Sequence, residues 1–556
     1  MKAQVIPSGN RFRVRSQYAP ALIERFRAIP GREYHADERE WSFPMAPDVV
    51  LMVADACGIF RESLPKELQD VLAPVRQAAP EVDLGLLADH EWALPPYEHQ
   101  RRNVARLVAE PRWLIADEMG AGKTFVICNR LKRFLDTEDY FPPHWAALIL
   151  CPKSVMHVWE EEMRKNARIA TTLVVGDADQ RRHKLLFCRS GAHIANYEAL
   201  LYTKGFADVD WEVIVLDEVH KVKSFTAKTS RLVRQLTKKA RHVWGLSGTP
   251  APNGLEDWHG VLAAIKPDLL PVQTKTAFEA RYTTKTRIGD GGPWVISGYR
   301  NVEELHNYVA SITSRVTKEE CLDLPPKIFQ TRCVTLSGEQ ARIYRDIKKD
   351  ALARIETLRG EGVLTVDNVL TESLRLLQIV GGFVPLSTGD GLPGQMHEID
   401  AKAKEQALHD TLDEAGDRPV VIWCAFKAEV YWLERWLKVL RGGNSFTLTG
   451  DTPQKTRGEI VRDFQDGRAR YFVGTAAAGG TGITLHAAST EIFYSRNWNL
   501  AEYLQAQDRC HRIGTTRPVN VVRLVADNTV DSKVDQALED KRDMLDAMLR
   551  QPESFF

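Results

Sequence analysis

The stretch Ala116-Asp117-Glu118-Met119-Gly120-Ala121-Gly122-Lys123-Thr124 lies between two apolar segments of different period. Trp113-Leu114-Ile115-Ala116 is an unbroken apolar run, the pattern of a short buried strand, while Phe125-Val126-Ile127-Cys128 with Leu131 takes helical spacing. The glycines therefore fall on a strand-to-helix turn. Gly120 and Gly122 let backbone N–H groups crowd round a phosphate, and the next helix adds its N-terminal dipole. In that setting Lys123 reaches the terminal phosphates of a nucleotide and the Thr124 hydroxyl ligates Mg²⁺. An ordinary Gly-rich turn is the competing reading. Asp117 keeps it open, because the usual phosphate-loop pattern has glycine there.

Working outward, strand and helix signals alternate from Leu94 to about Lys266, the mark of a parallel sheet covered on both faces. The expected strands are Leu114–Ala116, Ala147–Leu150, Leu173–Val175, Ile194–Asn196, Val213–Leu216 and Val243–Leu246. Ligands bind beyond the carboxyl ends of such strands. Val213–Leu216 delivers Asp217-Glu218 to that edge, one carboxylate to hold Mg²⁺ and another to orient and deprotonate water. Ser247-Gly248-Thr249 ends another strand, where its hydroxyls can sense the nucleotide.

Beyond about Asp268 the alternation gives way to helices, including Tyr344–Leu358 and Val369–Val380, and to the Gly-rich 289–292. It resumes after about Asp400 with strands at Val420–Trp423, Phe446–Leu448, Tyr471–Val473, Ile492–Tyr494 and Val521–Leu524, closed by a helix over Val530–Leu549. This second α/β domain has no phosphate loop of its own. It carries Gln505-Ala506-Gln507-Asp508-Arg509-Cys510-His511-Arg512, where a helix would put Arg509 and Arg512 on one face, in reach of a γ-phosphate held by the first domain. A surface ion-pair helix is the plainer alternative. Residues 474–483 form a second Gly/Thr loop, fit to close on nucleic-acid phosphates or to serve as a flexible connection.

At 556 residues the chain exceeds one core and implies two to four domains. Formal net charge is zero, so no global field draws it to a polyanion, and any nucleic-acid surface must be local. The eight cysteines are scattered, without C-x-x-C pairs, which speaks for reduced core thiols and against structural zinc. No secretory signal and no run of about eighteen apolar residues is present, so an intracellular, cytoplasmic protein is expected. With no clear basic import cluster, a nucleoid-associated protein of prokaryotic or phage origin is expected. In the N-terminal piece, Arg11, Arg13 and Arg15 alternate along a hairpin strand, with Tyr34 and Trp41 in a second hairpin and helices over Tyr18–Ala28 and Ala46–Gly58. Arginines and aromatics together can bind a phosphate backbone and stacked bases. A solvated strand face over a small aromatic core is the alternative.

In this order the motifs resemble the superfamily 2 helicase-like ATPases and, within them, the Swi/Snf family of DNA motors. Residues 117–124 are similar to that family's first ATPase motif, with Asp at the usual glycine. Leu94–Gln100 resembles its adenine-recognition motif, with Gln100 as the glutamine, and Cys151-Pro152-Lys153-Ser154 with Trp159 resembles its DNA-facing motif. Gly298–Asn301 and Leu324–Lys327 resemble the insert between the family's lobes. Val219, Leu500 and Thr515 depart from common family residues, none removing a chemical group. Ile29–Arg32 and Trp41–Pro44 look like the HARP domain beside the motors of annealing helicases.

The resemblance implies an α/β fold of two RecA-like parallel-sheet lobes with a helical insert and a small N-terminal α+β domain. The implied limits are 1–60 for the HARP-like domain, 61–93 for a linker, 94–267 for lobe 1, 268–400 for the insert and 401–556 for lobe 2. It implies an ATP- and Mg²⁺-using, DNA-dependent ATPase. Nucleotide contacts fall on Gln100, Asp117, Glu118, Met119, Gly120, Ala121, Gly122, Lys123 and Thr124, metal on Thr124 and Asp217, and catalysis on Lys123, Asp217, Glu218, Arg509 and Arg512. Duplex or forked DNA, read without sequence specificity, falls to Lys153, Ser154, Thr475, Thr481, Arg11, Arg13 and Arg15. A motor subunit of a restriction, phage-defence or protein-displacing complex, an RNA helicase and a non-hydrolysing scaffold are the rival readings.

Overall fold

The structure, a computed structural model, describes residues 3–549 except positions 9–10, 17–18, 28, 30–31, 46, 58–63, 72–81, 137–144, 188–189, 288–293, 361–365, 386–395, 480–481 and 513. Strands β1 (Gln4–Ser8), β2 (Arg11–Arg15), β3 (Glu33–His35) and β4 (Glu40–Pro44) make an antiparallel sheet in the order β1-β2-β4-β3. Phe12 and Val14 alternate with the three arginines, so one face of β2 is buried and the other is basic. Helices Pro20–Arg27 and Pro47–Cys57 pack with the apolar face, where Phe12, Phe26, Phe43 and Val50 are fully buried. Leu64 and Leu68, from the stretch read as a linker, join this core, and a short helix, Lys66–Val71, forms around them. Helix Pro47–Cys57 packs in turn on helix Lys275–Tyr282.

The first large sheet takes β5 (Arg112–Ile115), β6 (Ala146–Cys151), β7 (Thr171–Leu173), β8 (Gly191–Asn196), β9 (Val213–Asp217) and β10 (His242–Leu246). An antiparallel ribbon, β11 (Thr283–Arg287) with β12 (Trp294–Tyr299), stands apart, and β13 (Thr313–Ser314) returns to give the order β13-β5-β10-β9-β6-β8-β7. All its pairings are parallel. Their apolar runs are buried on both faces, as a sheet clothed by crossover helices demands. Because β5, β10 and β9 run side by side in one direction, the phosphate loop, Ser247 and Asp217 emerge at one edge. The strand expected at Leu173–Val175 ends two residues early, because Val175 N turns back to Leu173 O at 3.0 Å and leaves the ladder.

The second large sheet begins at β14 (Lys327–Val334). After the small pair β15 (Phe383–Pro385) and β16 (Met396–Glu398) come β17 (Val420–Cys424), β18 (Ser445–Leu448), β19 (Tyr471–Thr475), β20 (Thr490–Phe493) and β21 (Val519–Ala526). The order is β14-β21-β20-β17-β19-β18, again parallel. The stretch 268–400 thus supplies an edge strand to each sheet, β13 and β14, besides helices Gly338–Gly360 and Val366–Val380. Most of β14 is exposed, so its sequence lacks the apolar run that announces a buried strand. Helix Val530–Leu549 packs on Val366–Val380 and reaches back to helix Val302–Ser311 of the first lobe. No helix among the described residues is long and apolar enough to cross a membrane.

Candidate nucleotide site and nucleic-acid face

The loop after β5 is held open by two glycines at positive φ, Gly120 at 81° and Gly122 at 84°. Lys123, first residue of helix Lys123–Asp136, folds its ammonium into the loop, donating to Asp117 O at 2.7 Å and Glu118 O at 2.9 Å. Burial pushes its pKa down against the pull of Glu218, Asp117 and Asp217. Thr124 follows on the first helical turn, half-buried. Asp117 turns away from the loop's mouth: its Oδ2 accepts from Asn103 Nδ2 at 2.6 Å, and Asn103 accepts from Ser314 Oγ at 2.7 Å. The residue that departs from the usual glycine pattern therefore anchors the loop to helix Glu98–Ala109. Asn103 is a supporting residue the sequence reading missed. From the same helix Gln100 Nε2 and His99 Nε2 meet Ala121 O at 3.2 and 2.8 Å, and Gln100 Oε1 accepts from Tyr97 N at 3.0 Å. Gln100 braces the loop so closely that a Cβ on Gly122 would lie 2.3 Å from its Nε2.

At the end of β9, Asp217 Oδ2 accepts from Trp159 Nε1 at 2.8 Å, and Oδ1 from Glu218 N at 3.0 Å. Burial, then the Glu218 charge, pushes the Asp217 carboxyl up to about 7. Glu218 sits in the left-handed region, φ 50°, a conformation rare outside glycine that aims its side chain into the cleft. Its Oε2 meets His220 Nδ1 and Ser247 Oγ, each at 3.3 Å. Burial raises its pKa, but His220, Lys123 and Arg509 outweigh that and hold it below the usual carboxylate range. Two adjacent carboxylates are thus pushed apart in acidity, a division of roles typical of hydrolytic sites. Trp159, expected on the DNA-facing surface, is instead 1% exposed and committed to Asp217.

The second lobe closes over this edge. Gln505 Nε2 donates to Glu218 Oε1 at 3.1 Å, and Arg512 Cγ lies 3.8 Å from where a Cβ on Gly120 would stand. Arg509 is 4% exposed with its guanidinium pKa pushed down to about 9, by burial first and Arg512 next, while Asp508 and then Glu218 pull it up. The two arginines do not share a helix face. Helix Leu500–Gln507 ends at Asp508, whose carboxylate is taken by Lys318 and Lys327 at 2.9 Å each, and both arginines lie on the turn beyond. That turn nonetheless delivers both to the cleft.

The residues fit a Mg²⁺–nucleoside triphosphate. Gly120 and Gly122 shape the loop at positive φ, and Thr124 and Asp217 bring hard oxygen donors to the same edge of the sheet. Among the described residues no group of three or more His, Cys, Asp or Glu could hold a metal by itself.

Residues 99–381, just over half of the chain, match the SNF2-related domain, and residues 403–514 match the helicase conserved C-terminal domain. The chain belongs to the SNF2-related family. Human SWI/SNF-related matrix-associated actin-dependent regulator of chromatin subfamily A member 1 is 29% identical over 443 residues, 77% of this chain and 41% of that protein. The subfamily A-like protein 1 of Xenopus tropicalis is 26% identical over 555 residues, 97% of this chain and 54% of its own length. The chain therefore spans about half or less of these curated relatives. A solved structure titled Sulfolobus solfataricus SWI2/SNF2 ATPase core in complex with dsDNA is 25% identical, covering 84% of this chain and 96% of that one, at a TM-score of 0.40.

In this SNF2-related chain Lys153 is exposed and Ser154 half-buried at the end of β6. Thr475 closes β19 at 7% exposure, its hydroxyl accepting from Ala478 N at 3.4 Å. Thr481 lies outside the described residues. Gly482 sits with its Cβ position 3.3 Å from Val155 and 3.9 Å from Val158, so the two segments assigned to nucleic acid lie side by side across the cleft. On the separate N-terminal sheet, Arg11 bonds Ser42 and pairs with Glu33 at 3.4 Å, Arg13 pairs with Glu38 at 2.6 Å and Arg15 with Glu40 at 2.6 Å. These arginines are spent in part on stapling β2 to its neighbours.

Proposed function

We propose that this chain is an ATP-dependent double-stranded DNA translocase that remodels or reanneals DNA. The observation that carries the reading is the contact between Gln505 and Glu218, which sets the candidate general base of one lobe against the arginine-bearing turn of the other. Thr124 and Asp217 would hold Mg²⁺, which when bound would supply positive charge to the triphosphate. Lys123 and the backbone N–H groups of the loop bind and orient the phosphates. Glu218, kept anionic by its surroundings, takes a proton from the attacking water. Arg509 and Arg512 bring positive charge to the phosphate loop when the lobes close, the arginine-finger role.

DNA runs along the adjoining segments of the two lobes, held through phosphates by Lys153, Ser154, Thr475 and Thr481 and hence without sequence preference. Arg11, Arg13 and Arg15 add a second phosphate-binding face in a HARP-like domain. The Xenopus relative, aligned along 97% of this chain, supports counting that domain as part of the motor's equipment.

Steady-state ATP hydrolysis, measured alone and then with single-stranded DNA, duplex, a model fork and RNA, tests the proposal. Stimulation by duplex or fork DNA, lost in Lys123→Ala, is expected. Stimulation by RNA alone, or by nothing, overturns it.

A further inference from the structure

We infer that the Lys318–Asp508 ion pair is a latch that holds the two lobes closed and so seats Arg509 and Arg512 over the phosphate loop. Its purpose rests on the ATPase reading above. Its geometry does not.

On the lobe 1 side, the chain from Ile312 runs beside the strand that feeds the loop: Leu114 N, Ala116 N and Glu118 N donate to Ile312 O, Ser314 O and Val316 O at 2.8, 2.8 and 3.0 Å. That pairing delivers Lys318 against Gly120, with its Cε 3.4 Å from the glycine's Cβ position, and Lys318 N donates to Glu118 Oε2 at 2.9 Å. On the lobe 2 side, Lys318 Nζ donates to Asp508 Oδ1 at 2.9 Å and His511 O at 2.6 Å. Lys327 donates to the same Asp508 oxygen at 2.9 Å, but it opens β14 and belongs to the second sheet. The chain passes between sheets within residues 319–326, so Asp508 grips both ends of the crossing. Lys327 fixes the carboxylate within its own lobe. Lys318 is the grip that spans the hinge.

Lys318 is 3% exposed and Asp508 7%. A buried ion pair adds little net stability compared with apolar packing, whereas losing one partner strands a buried charge. Such a pair favours one arrangement over others, which suits a latch better than a core. Burial raises the Asp508 carboxyl, yet Lys318 and Lys327 outweigh it and keep it well below its usual range, so the latch stays charged throughout ordinary pH. Lys318 acts here as a positioning residue, through the turn that carries the arginines.

The test compares Lys318→Met, Lys318→Arg and Asp508→Asn in the full chain, reading kcat, KM for ATP and amide hydrogen exchange in nucleotide-free protein. Lys318→Met is expected to speed exchange in 312–327 and 500–512 about 10-fold, the signature of lobe opening. It should lower kcat about 10-fold or more with KM little changed, since arginines rather than nucleotide contacts are misplaced. Lys318→Arg should recover much of both. If Lys318→Met does not fold, Asp508→Asn, which keeps its residue's shape, carries the same expectation. Wild-type exchange in both segments in whichever variant folds overturns the latch. Absence of hydrolysis in the wild type overturns the ATPase reading alone, and the exchange still decides the latch.

Discussion

Gln505 Nε2 lies 3.1 Å from Glu218 Oε1, a hydrogen bond between residues 287 apart in sequence and on different lobes. The acid proposed to activate water is therefore built from both halves of the molecule: β9 supplies the carboxylate and the second lobe fixes one of its oxygens.

Glu218→Gln keeps the size of the side chain and its contact with Gln505 but removes the base. DNA-stimulated kcat should fall by about 10²–10⁴-fold. Affinity for a fluorescent ATP analogue should stay within about threefold, because an interaction made chiefly in the transition state has been lost. Equal losses in both quantities would assign Glu218 to binding.

Gly122→Ala would place a Cβ 2.3 Å from Gln100 Nε2 at φ 84°, where an L side chain is already strained. Displacing Gln100 leaves Ala121 O to His99 alone, and the strain costs about 1–3 kcal/mol. Nucleotide affinity measured by titration should drop more than 10-fold, roughly the size of that term, with a lower melting temperature. Gln100→Ala with Gly122→Ala should recover part of the stability by removing the clash.

Glu491 is fully buried on β20, and burial pushes its carboxyl from 4.5 up to about 8. The unfolded chain sheds this proton near pH 4.5 while the fold retains it. Stability from this group is thus complete below pH 4.5 and declines as pH rises to about 8, by about 1.4 kcal/mol per unit. Glu429, raised to about 7, adds a decline of the same sign over pH 4.5–7. Glu491→Gln keeps an acceptor for Trp423 Nε1 and should flatten the fall in melting temperature between pH 5.5 and 8.5. A slope identical to wild type would show that Glu491 is ionised in the fold.

Lys153→Ala removes one exposed cation from the proposed DNA track. The duplex concentration giving half-maximal ATPase should rise equally for unrelated sequences, and the slope of log affinity against log salt should fall by about 1. An unchanged slope would place Lys153 off the phosphate path.

The phosphate loop, the Asp217-Glu218 pair and both parallel sheets were legible because each is written in a few neighbouring residues: glycine spacing, an apolar run, a polar strand end. β14 was not, since an exposed edge strand carries no apolar run. The helix expected to carry Arg509 and Arg512 stops at Asp508, the residue that Lys318 and Lys327 engage, and both arginines follow on the turn.

By itself the sequence determined most of the buried strands and which side chains follow them at the carboxyl edge of each sheet, since periodicity and turn chemistry act over a few residues. The tertiary structure alone decided who meets whom: Asn103 with Asp117, Trp159 with Asp217, Gln505 with Glu218, Lys318 with Asp508. Those partners lie 14 to 287 residues apart, and at such distances spacing along the chain carries no signal. Only the packing of buried surfaces, which leaves polar groups to be satisfied by whatever lies opposite, brings them together.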